Sequence, residues 1–189
     1  MFDIIIKNAT IIDGSGKEDI AADIGISNDR IVKIGRIEET GRQVIDAKGL
    51  VVSPGFVDCH SHSDYYLIIN PLAESKIRQG VTTEIGGNCG YSAAPLSGEA
   101  LDERENAYKK AYNFEHNWQD VNGYFHRLET QGVSLNFALL IGHNTVRSSV
   151  IGGSSREPNE NEMSQMKEMV QRAMKDGAIG ISTGLAYGP

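Results

Sequence analysis

The sequence predicts an α/β protein in which a small β-rich segment precedes repeated strand-helix units. Three observations carry this expectation: short β-branched runs separated by turns up to residue 53, apolar strands alternating with amphipathic helical stretches from residue 54 onward, and unusual polar residues gathered where those strands end. At 189 residues and 40% apolar content, the chain has enough material for one ordinary domain with a small appendage.

Within residues 1–53, the runs "FDIIIKNATII", "ADIGI", "RIVKIG" and "GLVVS" are parted by "DGSG" and "SND" and predict a small antiparallel sheet. From 54 to 189 the rhythm changes. "GFVDCH" reads as a buried strand, "PLAESKIRQG" as a short helix closed by Gly80, and "VTTEI" as a second strand. "EALDERENAYKKAYNF" and "WQDVNGYFHRLETQG" read as helices, and "SLNFALLIG" as a third strand. "PNENEMSQMKEMVQRAMKDG" is an amphipathic helix with Asn159 as N-cap and Gly177 past its end, and "AIGIST" is a fourth strand. Met163, Met166, Val170 and Ala173 recur at helical spacing and are expected in the core rather than around a cofactor.

Repeated strand-helix units imply a parallel sheet covered by helices, either doubly wound or closed into a (β/α)8 barrel. His60 and His62 end the first strand, "GGNCGYSAAP" follows the second, His143 follows the third, and "STGLAYGP" follows the fourth. A barrel assembles its site from such successive loops, whereas an open sheet concentrates its ligand at one switch point. A whole barrel takes about 250 residues. The expected fold is therefore the first half of a (β/α)8 TIM barrel over 54–189, truncated after strand 4, behind the β-rich segment 1–53.

A net charge of -7 without a Lys/Arg cluster argues against a nucleic-acid or anionic-membrane partner. No run approaches a membrane span, and "MFDIIIKNATII" lacks the marks of a signal peptide, so the expected location is cytoplasmic. Cys59 and Cys89 are too few for a disulfide framework and read as packing residues or ligands.

The stretch "GFVDCHSHSD" carries the chemistry. Side chains two apart on a strand point the same way, so His60 and His62 would converge, with Asp58 and Asp64 on the same parity. Two imidazoles held by a rigid strand suit a divalent metal such as Zn2+, and Asp58 could orient a ligating ring from behind. The plainer alternative is a strand ending in polar residues, with Ser61 and Ser63 solvating the turn. Cys89 lies in "GGNCG", whose glycines allow close backbone approach, and a thiolate beside two imidazoles binds zinc; alone it reads equally as a small buried cysteine. Cys59 has the opposite parity from His60 and is expected in the core. His143 is either a group that polarises a substrate carbonyl or a loop histidine. Arg147 either receives a carboxylate bidentately or is an exposed loop arginine, and Tyr187 either lines a substrate pocket or anchors its loop. His116 and His126 fall in helical, charged surroundings and read as surface or interhelix residues.

"PGFVDCHSHSD", preceded by "DIIIKNATIIDGSG", resembles the start of the amidohydrolase superfamily; "GGNCGYSAAPL", "IGHNTVRSSV" and "DGAIGISTGLAYGP" resemble the N-acyl-D-amino-acid deacylases within it. The resemblance implies a metal-binding (β/α)8 barrel flanked by a β-sandwich, one or two Zn2+ sites, and hydrolysis of small-molecule N-acyl-D-amino acids. It implies His60, His62 and Cys89 as metal ligands, His143 near the substrate carbonyl and Tyr187 beside the substrate. The family's later histidine ligands and catalytic aspartate have no counterpart, so these residues alone are expected to be inactive, a fragment of a longer parent. Hydantoinases and dihydroorotases use a carbamylated lysine from the fourth strand, and "AIGISTGLAYG" offers none. Two other readings stay open: a different cyclic-amide amidohydrolase, and a non-catalytic half-barrel that self-associates through its open edge.

Overall fold

Strand β1 (Phe2–Ile11) organises the amino-terminal part of the computed structural model, which describes residues 1–187. Its one edge takes β2 (Ile20–Ser27) antiparallel, and β2 takes β3 (Arg30–Gly35) antiparallel. Its other edge takes β4 (Gly41–Asp46) over the first half and β5 (Val51–Val52) over the second, both parallel. The sheet is thus mixed, which corrects the expected all-antiparallel one. The parallel partners arise because β4 and β5 both return along the free edge of β1 in its own direction, while a bulge at Asn8, at φ 59°, interrupts the β1–β2 register between Ile6 and Ala9. Asp23 pins that bulge by accepting from Lys7 Nζ, Asn8 N and Ile37 N at 3.0 Å each. The Asn8 N–H and then Lys7 and Ile37 hold its carboxyl below the usual range against the opposing effect of burial. Ala9, Ile11, Ile24 and Ala47 form the small core of this unit, which ends at Gly55.

The second unit begins at Phe56. Its order is β6 (Phe56–Asp58), α1 (Tyr66–Ile69), α2 (Glu74–Ile77), β7 (Val81–Gly86), α3 (Gly98–Tyr112), α4 (Val121–Gln131), β8 (Asn136–Gly142), α5 (His143–Ile151), α6 (Glu160–Lys175) and β9 (Gly180–Ser182). The strands pair in parallel in the order β6-β7-β8-β9, each with its successor in sequence. No reversal of direction gives a switch point, so the sheet winds as part of a (β/α)8 barrel. Asp58 lies opposite Glu84, Gly86 opposite Leu139, and Gly142 opposite Ser182, which aligns the carboxyl ends along one rim.

Beneath that rim Leu139, Ile141, Val121, Tyr124 and Val146 are buried to within 1% of their surface, and Trp118 Nε1 donates to Ala93 O at 2.9 Å. Helix α6 starts on a reciprocal capping box between Asn159 and Glu162 and buries Met166 and Ala173, with Met169 and Val170 packed beside them. Met163, expected in that stripe, lies in the first turn and is 38% exposed. Helices α1 and α5 and strand β4 are absent from the sequence reading. Among the described residues no helix is long and apolar enough to cross a membrane.

Candidate metal centre

Strand β6 stops at Asp58, so the segment carrying His60 and His62 is a bend rather than strand. The parity argument therefore fails, and Cys59, expected in the core, is exposed. Convergence arises by another route. Ser61 N donates to Ile85 O at 3.1 Å, which holds the bend against β7. Asn88 Nδ2 donates to Ile85 O at 2.7 Å and to Ser61 O at 3.2 Å, tying the loop after β7 to the same bend. The imidazole rings then stand edge to face, with centroids 5.4 Å apart.

Cys89 completes the group from the opposite side. Its backbone is left-handed at φ 54°, unusual for a side chain with a Cβ and worth roughly 1 kcal/mol or more of local strain. The loop that imposes this lies directly on β8, since a Cβ at Gly87 would stand 1.8 Å from Leu140 O. Gly90 N also donates to Ser182 Oγ at 2.9 Å, which fastens the loop to β9. One donor atom each from His60, His62 and Cys89 then lie within 4.8 Å of one another, and His60 Nε2 is 3.2 Å from Cys89 Sγ. Tetrahedral bonds of about 2.0 Å to nitrogen and 2.3 Å to sulfur place neighbouring donors roughly 3.3–3.6 Å apart. The His60–Cys89 pair is already near that spacing, and two imidazole nitrogens with one cysteine sulfur are a donor set that suits a Zn2+-like ion and would leave a coordination position for water or substrate.

The two flanking aspartates do different things. Asp58 Oδ1 accepts from the His60 backbone N–H at 3.1 Å, while Oδ2 pairs with Lys76 Nζ at 2.6 Å, and this lysine keeps its carboxyl below the usual range. It acts on the His60 backbone rather than on a ring. Asp64 is buried and accepts from the N–H groups of Gly87 and Ala93 at 3.2 Å each. Burial raises its pKa, only partly opposed by these N–H groups and by His62. It braces the loop that bears Cys89.

A second cluster sits at the ends of β8 and β9. His143 opens α5 and Arg147 follows one turn later, so both face the same side. With Tyr187, Tyr91, Asn144 and Gly184 they line a cavity of about 330 Å³. Tyr187 meets Tyr91 in a T-shaped contact at 5.4 Å, and Tyr91 also lines a smaller cavity with His62 and Asp64. Arg147 donates to Ser154 O and Arg156 O at 2.7 Å each, so it is a fixed helix residue rather than a loose loop arginine. His126 is exposed and His116 half-buried, both away from these linings.

Sequence reasoning missed Tyr91, Lys76 and Glu84. Tyr91 lies two residues beyond Cys89 in a motif already singled out, so its loop was the available signal. Glu84 is fully buried inside "VTTEI", and a lone acidic residue in an apolar strand is itself a signal for a paired charge.

Comparison with known proteins places this architecture. Residues 43–189 match the model of the amidohydrolase family. D-aminoacylase of Alcaligenes xylosoxydans xylosoxydans is 38% identical over 196 residues, covering 100% of this chain and 39% of that protein. A solved structure of D-aminoacylase, studied for its binuclear metal centre with one-metal activation and second-metal attenuation, superposes with a TM-score of 0.87 at 37% identity, covering 100% of this chain and 40% of that one. N-acyl-D-glutamate deacylase from Bordetella bronchiseptica, solved with zinc and a phosphonate mimic of the tetrahedral intermediate, gives 0.89 at 36% identity, covering 100% and 39%. The chain thus spans about two-fifths of the length of these relatives. With the family model matching most of its length and the fold agreeing throughout, the chain belongs to the amidohydrolase family.

Proposed function

We propose that this chain forms the metal-holding part of a hydrolase that cleaves N-acyl-D-amino acids into a carboxylate and a free D-amino acid. The convergence of His60, His62 and Cys89 within 4.8 Å at the carboxyl rim carries the proposal. The zinc in the deacylase from Bordetella bronchiseptica and the metal centre of D-aminoacylase support Zn2+ as the ion, in one or two sites. The fixed bends after β6 and β7 hold the imidazoles and thiolate ready, which limits the reorganisation that binding would require. A dication there would supply Lewis-acid polarisation of the acyl carbonyl and a nucleophile at neutral pH. In this reading His143 would donate an N–H to the oxygen that gains charge during attack, and Arg147 and Tyr187, which line the same cavity, would hold the substrate's other end.

Asp64 is a poor proton shuttle, because both its oxygens accept from backbone N–H groups and it is shut away from solvent. The 189 residues by themselves are therefore expected to bind metal without sustained turnover. Titration with Zn2+ or Co2+ tests the metal site directly: Cys89→Ala should weaken binding by about 100-fold or more, the scale of losing one of three ligands. Equal affinity in the variant and the parent would remove the basis of the reading. Side-by-side assays of an N-acyl-D-amino acid and a hydantoin on the protein encoded by the complete reading frame would separate a deacylase from a ring-opening relative. Metal-dependent turnover by the 189 residues alone would overturn the expected inactivity.

A further inference from the structure

A partly buried ionic chain ties the segment that carries the candidate histidines to β7 and α2. Lys76, on the short helix α2, places Nζ 2.6 Å from Asp58 Oδ2 at the end of β6 and 2.8 Å from Glu84 Oε1 on β7. Each carboxylate then turns its other contacts to the histidine bend. Asp58 Oδ1 accepts the His60 N–H at 3.1 Å, Glu84 Oε1 accepts from Ser61 Oγ at 3.2 Å, and Glu84 Oε2 accepts from Ser63 Oγ. The network thus grips the bend at residues 60, 61 and 63 and leaves both imidazole rings free.

Ordinary stability does not require this arrangement. Glu84 is 0% exposed, and burying a carboxylate costs several kcal/mol before its partners offset it. A packed apolar residue at this strand position would avoid that cost. What the charges add is geometric: a fork of fixed acceptors reaching three points on a segment that has left its strand.

We propose that Lys76 and Glu84 are positioning residues, which clamp the His60–Ser63 bend so that the two imidazoles meet Cys89. The role in metal binding rests on the reading of those three residues as ligands, whereas the clamp itself does not. Outer partners of this kind typically change metal affinity by about 10- to 100-fold when removed.

The test uses two variants of the 189-residue chain. Lys76→Met alone leaves Glu84 as an unpaired buried carboxylate and is expected to melt early, whereas Lys76→Met/Glu84→Gln removes both charges and should keep the fold. In the metal-free double variant, amide exchange measured by NMR should quicken about tenfold or more at His60 and Ser61 while Leu139, deep in β8, stays unchanged. Co2+ affinity of the same variant should fall by about 10- to 100-fold, with an altered cobalt absorption spectrum. Unchanged exchange at His60 and Ser61 in the folded double variant overturns the clamp, and Co2+ affinity equal to that of a metal-binding parent overturns its role in positioning the ligands. If the parent takes up no Co2+, the metal reading fails, and the exchange result alone decides the clamp.

Discussion

His116 shows how one side chain can make the whole protein sensitive to acid. Its ring lies 3.9 Å from the Trp118 ring, its Nε2 is buried without a hydrogen-bond partner among the described residues, and burial lowers its pKa from 6.5 to about 4. Between those values the unfolded chain binds a proton that the folded one refuses, so stability is full above about pH 6.5 and declines as the pH falls towards 4. Denaturant unfolding at pH 7.5, 5.5 and 4.5 should show this decline, and His116→Phe should flatten it over that window. Ion-paired carboxylates such as Asp58, whose pKa is lowered, lose their contribution at still lower pH. At this scale the candidacy of His60, His62 and Cys89 for one site was legible from residue type and position, and the structure brings the three together. Their route to convergence was not, since it depends on Asn88, Ser61 and the carbonyl of Ile85 rather than on strand parity. Lys76 and Glu84 escaped because their pairing joins residues on different elements, which no local pattern displays.

Among the elements, α6 is the one that local sequence specifies best. Asn159 and Glu162 satisfy two backbone N–H groups reciprocally, and Met166, Met169, Val170 and Ala173 give it one apolar side. Asn159→Ala should cost about 1 kcal/mol and lower the melting temperature by about 2–4 °C, without moving metal affinity. Helix α5 could not be read the same way. Its stretch "HNTVRSSVI" has β-branched and hydroxyl residues with weak helix preference, and its helicity follows from docking Val146 and Ile151 into the core. Strand β4 is exposed along almost its whole length, so it shows no alternation and is held only by pairing with β1.

For the whole molecule, the two outer strands of the parallel sheet matter most. Phe56 and Val57 on β6 are 61% and 59% exposed, and Ile179 and Ile181 at β9 are 53% and 55% exposed. Apolar side chains beside unpaired strand edges favour association between copies. Sedimentation of the 189-residue chain should show mass rising with concentration, and Val57→Lys with Ile181→Lys should shift it towards monomer. A clean monomer at high concentration would argue against this behaviour.

The strand-helix alternation and the rim position of the unusual residues could be read from the chain, because hydrophobic periodicity and turn chemistry are local properties. The mixed sheet around β1 and the meeting of two histidines with a cysteine 29 positions from His60 were decided by tertiary structure. Each depends on hydrogen bonds and packing between segments distant in sequence. In the candidate metal centre these contacts fix backbones that have already left their strands, where side-chain alternation no longer says which way a residue points.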